Sequence, residues 1–284
     1  MPTPLQQFDN RQEMRDTPFE IFHYRDRHPG SVALHHHDFY EVYYFVNGSV
    51  DYLVEGKTCR LEPGDLLLIS PLELHQPIIH PNRDAYERIV LWVNPTFLHK
   101  HTSQQCNLLQ CFDISCPGHT NLIKASSHQN TALRPILDTL LQESRNAVFG
   151  QELLCQSLLL QFLVQLNRLT STTPRLTHTG HRNSLTDQVV EYIARHYHEP
   201  LSLDGLAEVF FVSKYHLSHE FARSMGISLY RYITLKRLLM AKQMLMIGHS
   251  PTRVYEACGF RDYANFYRAF KAEYGTSPSR FAPD

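Results

Sequence analysis

A polar segment, residues 170–183, divides the sequence into two parts whose hydrophobic patterns differ. It is rich in Thr and Ser and has no apolar periodicity, which is typical of an interdomain linker. Before it, short apolar runs alternate with turn signals; after it, apolar residues recur at helical spacing. We therefore expect an α+β protein of two domains, with an all-α C-terminal domain at residues 184–284.

The N-terminal part itself divides in two. Residues 1–123 contain short β-branched and aromatic runs separated by turn signals such as Asn47-Gly48 and Pro63-Gly64, which predict an antiparallel β-barrel or sandwich. Residues 124–169 instead have helical periodicity and predict a helical hairpin. Its wide apolar stripes either cap the barrel or leave a seam for a second subunit, and the pattern does not separate these two interpretations.

Composition excludes several classes of protein. The net charge is −1, and residues 184–284 carry twelve Lys and Arg against ten Asp and Glu, so charge alone does not indicate a nucleic-acid-binding protein. Six cysteines without a C-x-x-C pair argue against a zinc ribbon or a disulfide framework and predict reduced thiols. No apolar run suits a membrane span or a signal peptide, so we expect a cytoplasmic protein without membrane contact.

The C-terminal domain contains the same helical pattern twice. Ser202 and Ser213 are N-cap residues for two short helices, and Ser250-Pro251 and Asp262 repeat the arrangement. Between the pairs, residues 229–247 predict a helix of about 28 Å, close to the roughly 34 Å between sites one DNA turn apart. This pattern predicts two helix-turn-helix units on a rigid spacer, the alternative being an all-helical interaction domain.

A specific resemblance strengthens the first interpretation. Residues 258–278, CGFRDYANFYRAFKAEYGTSP, followed by Arg280-Phe281, resemble the signature of the AraC/XylS family of transcription regulators. The resemblance covers roughly residues 184–281 and implies a seven-helix DNA-binding domain with two major-groove contacts. Tyr255 stands where this family usually has a small residue, so we expect the second unit to read bases less firmly than the first.

The resemblance also implies which residues contact DNA. The base-facing positions it implies are Tyr215, Ser218, His219, Ala264, Asn265 and Arg268. Of these, Arg268 can pair with a guanine bidentately, whereas Ala264 offers only apolar contact. The residues expected to contact phosphates are Lys214, Arg223, Arg261 and Lys271.

The N-terminal part resembles a cupin. His35 to Glu41, followed by Gly48, resembles the first cupin motif, H-x-H-x3-E-x6-G. Pro63-Gly64-Asp65 with the later His75 resembles the second, although the spacing is one residue longer and the usual Asn is absent. Strand alternation would place His35, His37, Glu41 and Tyr43 on one face. The residues expected to bind an effector are His35, His37, Glu41, Tyr43, His75 and Trp92.

Two alternatives remain open for these side chains. The first is a metal site, because two or three imidazoles with a carboxylate suit Zn²⁺, Ni²⁺, Mn²⁺ or Fe²⁺; its ligands would be His35, His37, Glu41 and His75. The second is that these side chains hydrogen-bond a small polar effector without metal, as sensor domains of the AraC/XylS family often do. Trp92 either packs in the core or stacks on a sugar face.

The expected function combines the two domains. The chain is predicted to be a sequence-specific regulator that binds double-stranded DNA as a homodimer and activates transcription with RNA polymerase. A small, sugar-like effector in the cupin pocket would control it. No cofactor is required for DNA binding in this scheme, and no catalysis is expected. The alternative is a metal-dependent cupin enzyme with a helical appendage, for which the metal-ligand set is the sole support.

Overall fold

The computed structural model describes residues 13–15, 17–71, 73–81, 84–114, 116, 119–124, 132–172 and 184–281. The main division into two compact units falls between residues 179 and 180. Most of the expected linker, residues 173–183, lies outside the described residues. Among the residues that are described, no helix combines the length and apolar character that crossing a membrane requires.

The N-terminal unit contains two antiparallel sheets. Its strands are β1 (Phe19–Asp26), β2 (Tyr40–Asn47), β3 (Val50–Val54), β4 (Lys57–Arg60), β5 (Leu66–Ile69), β6 (His75–Ile79), β7 (Tyr86–Val93) and β8 (Leu122–Ile123). Five strands form one sheet in the order β1-β7-β2-β5-β8, and three form the other in the order β4-β3-β6. The β-rich unit expected from the turn spacing is therefore present as a two-sheet structure.

The five-stranded sheet is buried on both faces, which explains why β5 is apolar throughout. Leu67 and Ile69 belong to one core cluster, together with Tyr43, whereas Leu66 and Leu68 belong to a second cluster. The first cluster includes residues of the three-stranded sheet, and the second includes residues of three α-helices. A strand covered on both faces loses the alternation of polar and apolar residues that marks a half-exposed strand.

Helices cover the outer face of the larger sheet. They are α1 (Pro95–His101), α2 (Leu133–Glu143) and α3 (Gln151–Thr172). The buried stripe of α3 passes through Cys155, Leu159 and Phe162, whereas Leu154 is 46 % exposed. Helix α3 extends three residues beyond the expected domain limit at 169. In this last turn the hydroxyls of Thr170 and Ser171 donate hydrogen bonds to the carbonyl of Asn167.

The C-terminal unit is helical throughout its described residues. Its α-helices are α4 (Leu185–His196), α5 (Leu203–Val209), α6 (Lys214–Met225), α7 (Leu229–Met246), α8 (Pro251–Ala257) and α9 (Tyr263–Tyr274), followed by a 3₁₀ turn at Pro278–Arg280. The expected capping box is present, because Ser184 Oγ accepts from Asp187 N and Asp187 bonds back to Ser184 N. Ser250 makes no side-chain cap; its hydroxyl lies 3.2 Å from that of Thr252.

Helix α7 connects the two helix-turn-helix units. Its Tyr232 ring lies 5.4 Å from the Phe221 ring of α6. Further along, Leu238 and Leu245 are fully buried and share a core with Phe266 and Phe270 of α9. The predicted spacer is therefore a helix with core contacts on more than one side.

Candidate functional site

The two candidate DNA-reading helices, α6 and α9, are built alike. Each begins at a capped residue, Ser213 or Asp262, whose side chain accepts a hydrogen bond from a backbone N–H in the first turn. Each ends at a glycine in the left-handed conformation, Gly226 or Gly275. Such matched ends fix the length of each helix at twelve residues and orient its polar face.

The polar face of α6 carries the predicted contact residues. Tyr215 is 80 % exposed, His219 is exposed and Ser218 is half-buried, while Leu217 and Phe221 are fully buried. The two basic residues expected at phosphates are engaged locally: Lys214 Nζ lies 3.2 Å from Asp204, and Arg223 donates to Glu220 at 2.5 Å. Both basic side chains of these ion pairs are exposed, so each pair is weak.

The corresponding face of α9 carries a small hydrogen-bond network. Asn265 donates from its backbone and its side-chain amide to the Asp262 carboxylate, and Arg268 donates to the Asn265 side-chain oxygen at 2.6 Å. The network links Asn265 and Arg268, two of the predicted base contacts, to each other and to the N-cap residue. From the sequence, Asp262 was expected only to cap the helix. Its position three residues before Asn265 could have indicated that it also bonds the Asn265 side chain. Ala264 and the expected phosphate contacts Arg261 and Lys271 are also exposed.

The N-terminal unit brings five of the six expected effector residues into one group, namely His35, His37, Glu41, His75 and Trp92, whereas Tyr43 is hydrogen-bonded to Tyr86. The backbone groups of His35 and His75 bond reciprocally, with N···O distances of 3.1 and 2.9 Å. The His35 and His75 rings lie 4.2 Å apart, and the His37 and His75 rings 4.7 Å apart. We expected strand alternation to place His35 and His37 with Glu41 and Tyr43, but both histidines precede β2, so alternation along that strand does not apply to them. The backbone bridge between His35 and His75 brings the histidines together instead.

Backbone contacts orient all three imidazole rings. Nδ1 of His35, His37 and His75 lies 2.8, 2.8 and 2.9 Å from the carbonyl of Ala33, Phe39 and Glu73 respectively. A carbonyl only accepts, so each Nδ1 is the donor. Burial, followed by repulsion from His35 and His37, holds the pKa of His75 well below its usual range. Burial likewise lowers the pKa of His35.

Glu41 is the acidic member of the group, and its carboxylate is buried. Burial raises the pKa of Glu41, but the interactions of its carboxylate with His37, His35 and Trp92 outweigh burial, and the net shift is downward. Trp92 Nε1 donates to Glu41 Oε2 at 2.9 Å, and the Tyr52 hydroxyl donates to Oε1 at 3.5 Å. Potential ligand atoms of His37, Glu41 and His75 lie within 4.8 Å of one another. His35 is not part of that closer group.

Trp92 and Tyr43 are packed among other rings. The Trp92 ring lies 4.8 Å from Phe22 and 4.4 Å from Phe39, and 6 % of the residue is exposed. Tyr43 is hydrogen-bonded to the Tyr86 hydroxyl, and burial raises its pKa well above the usual range. Of the two interpretations of Trp92, its neighbours favour core packing.

Comparison with known families matches both parts of the chain. The family described as AraC-like ligand binding domain matches residues 18–163, and the one described as helix-turn-helix domain matches residues 206–283. An uncharacterized HTH-type transcriptional regulator, YbfI of Bacillus subtilis, is 26% identical over 81% of this chain and 80% of its own length. The HTH-type transcriptional activator RhaS of Escherichia fergusonii is 24% identical over 88% of this chain and 87% of its own length.

Solved structures are also similar. ToxT of Vibrio cholerae, in a crystal structure with unsaturated fatty acid bound, covers 96% of this chain and 100% of its own, with 11% identity and a TM-score of 0.41. The C-terminal domain of AraT, a response regulator of Geobacillus stearothermophilus, matches 34% of this chain at 28% identity and a TM-score of 0.34. Because the ligand-binding family matches about half of the chain and the helix-turn-helix family follows it, the chain belongs to the AraC family of transcriptional regulators, with a ligand-binding domain and a DNA-binding domain.

Proposed function

We propose that this regulator activates transcription by reading two successive major grooves with α6 and α9, under the control of a small polar effector. The observation that carries the DNA part is the likeness of the two helices, each capped, twelve residues long and exposed along its polar face. The base contacts are those expected from the sequence, with Tyr215, Ser218 and His219 on α6 and Ala264, Asn265 and Arg268 on α9. The relative named as a transcriptional activator supports the activating role.

The effector binds at the group formed by His35, His37, Glu41 and His75. The Nε2 atoms of the three histidines and the Glu41 carboxylate offer hydrogen-bond acceptors, which suits the hydroxyl donors of a sugar-like molecule. His35 is the half-buried member and marks the side from which a ligand reaches the others. Trp92 contributes by holding Glu41 through its indole N–H rather than by stacking on the ligand.

The active form is a homodimer in the cytoplasm that acts with RNA polymerase. Apolar side chains at the junction of α2 and α3 support the dimer: Phe149 is fully exposed, Leu153 is 72 % exposed and Val148 is 61 % exposed. Exposed apolar groups clustered in this way are typical of interaction surfaces. Replacing both Phe149 and Leu153 by Asp should shift the sedimentation coefficient to that of a monomer; an unchanged dimer would place the interface elsewhere.

Selection of binding sites from a random duplex library tests the reading mechanism. With the full chain, we expect an enriched motif of two short elements about one helical turn apart. The variant S218A/H219A should lose one element and R268A the other, while H249A, which removes an exposed imidazole outside both helices, should keep both. No enriched motif, or loss of the same element in both variants, would refute the proposal. Thermal shifts with aldopentoses, aldohexoses and uronic acids then test the effector class.

A further inference from the structure

The group of histidines around Glu41 has an arrangement that effector binding alone does not require. Nδ1 of His37 and of His75 each donates to a backbone carbonyl, so in the neutral ring Nε2 carries a lone pair and no proton. Both Nε2 atoms are buried, and neither has a hydrogen-bond partner. Buried polar atoms are seldom left in this state, so two such atoms in one group indicate a missing ligand.

The position of Glu41 indicates the charge of that ligand. Glu41 Oε2 lies 3.4 Å from His37 Nε2, so the lone pair of the ring nitrogen and an oxygen of the carboxylate are close to each other. Two such acceptors repel unless a proton or a metal cation lies between them. Trp92 and Tyr52 donate to the same carboxylate but leave further lone pairs free, since a carboxylate has about four acceptor positions.

We propose that His37 Nε2, His75 Nε2 and a Glu41 carboxylate oxygen bind one divalent first-row transition-metal ion, Zn²⁺ or Fe²⁺. Two imidazoles with one carboxylate are a known donor set for both ions. The Nδ1–H donors to backbone carbonyls are the outer contacts that usually orient a ligating histidine. Ligands about 2.1 Å from one ion are roughly 3.4 Å apart in a tetrahedron, so the present group, whose atoms lie within 4.8 Å of one another, must contract by up to about 1.4 Å.

Three protein ligands leave at least one coordination position open. This inference deepens the proposed function: an effector oxygen would complete the coordination sphere, and His35, beside His75, lies where it can contact that effector. The sugar-like effector class would then extend to molecules with adjacent hydroxyl or carboxylate oxygens, which chelate a metal ion.

Metal binding by the full chain tests this assignment. Protein stripped with EDTA is dialysed against Zn²⁺, and separately against Fe²⁺ under anaerobic conditions, and bound metal is measured by mass spectrometry. Co²⁺ in place of Zn²⁺ reports the coordination geometry through its visible absorption bands. We expect one ion per chain for the wild type and for the control H99Q, which removes an exposed imidazole. For H37Q and E41Q we expect a dissociation constant at least tenfold higher and loss of the Co²⁺ bands.

Two further measurements keep the result decisive. Far-UV circular dichroism of each stripped variant shows whether it is folded, and H37N serves as a second variant should H37Q fail to fold. Binding of the stripped wild type to its selected duplex separates this inference from the proposed function. If the wild type binds no more Zn²⁺ or Fe²⁺ than E41Q, yet binds DNA, the metal site is overturned and a proton joins His37 to Glu41. If the DNA is not bound either, the proposed function fails independently.

Discussion

Gly259, in the turn between α8 and α9, provides the sharpest test of the packing in the DNA-binding unit. Its φ is +80°, a left-handed conformation that costs a residue with a Cβ about 1–2 kcal/mol. A Cβ at this position would also lie 2.7 Å from the Tyr197 carbonyl oxygen and 2.8 Å from that of His198. The α4–α5 connection would therefore have to move.

That connection is held in place by Arg237, which donates to the carbonyls of Tyr197 and Glu199 at 2.8 Å each. A hydrogen bond from a charged donor contributes about 1.5–3 kcal/mol. We expect the movement of the α4–α5 connection to break at least one of the two Arg237 hydrogen bonds. Gly259→Ala should therefore lower the free energy of unfolding by about 2.5–5 kcal/mol. Gly275→Ala is the matched control, because its φ is +69° and nothing lies within 4 Å of the added Cβ. It should cost only about 1–2 kcal/mol.

Urea unfolding of the full chain separates the two units. Most helical residues lie in the C-terminal unit, so far-UV circular dichroism follows mainly that unit, whereas the single tryptophan, Trp92, reports on the N-terminal unit by fluorescence. With a slope of about 1–3 kcal/mol per molar urea, the expected difference between the variants is a midpoint shift of roughly 1 M in the dichroism curve alone. Equal midpoints for Gly259→Ala and Gly275→Ala would refute the steric argument.

Three further predictions follow from named residues. Arg268→Ala should weaken binding to the selected duplex about tenfold while leaving scrambled DNA unchanged, as measured by fluorescence anisotropy; equal losses on both duplexes would remove its role as a base contact. His219→Ala should weaken the same binding more than Tyr267→Ala, because His219 is exposed on the polar face whereas Tyr267 is half-buried, and the reverse order in a gel-shift titration would show that the face is misassigned. At pH 8 the exposed Cys106 should react with iodoacetamide while the buried Cys258 does not. Burial raises the pKa of Cys258 to about 12, so about one Cys258 thiol in ten thousand is ionised at that pH. Alkylated Cys258 in a peptide digest of the native protein would contradict this.

The helical elements could be predicted from the sequence because their signals are local. Ser213 and Asp262 cap helices that end at Gly226 and Gly275, and each of these signals lies within a single turn of the element it delimits. The end of α3 was missed because Thr and Ser were taken as linker residues, whereas their hydroxyls bond within the helix. Composition alone does not show whether a Thr- and Ser-rich segment continues a helix or forms a linker.

The N-terminal unit was harder to predict because its contacts join distant residues. Strand β1 pairs with β7, so that Phe19 lies opposite Val93, and no local pattern encodes that partner. The histidine group shows the same limit. Motif spacing pointed to these histidines, but the bridge between His35 and His75 that brings them together depends on two segments forty residues apart.

The shared core of α7 has a consequence for how the protein is made. During synthesis Leu238 and Leu245 leave the ribosome before Phe266 and Phe270, the α9 side chains that share their core. At about 5–20 residues per second, the 25 residues from Leu245 to Phe270 take roughly 1–5 s to be added, and during that time the apolar flank of α7 is uncovered. A chain that stops before α9 keeps that flank exposed permanently. Premature termination in this short stretch should therefore yield an aggregating product rather than a regulator with one reading helix.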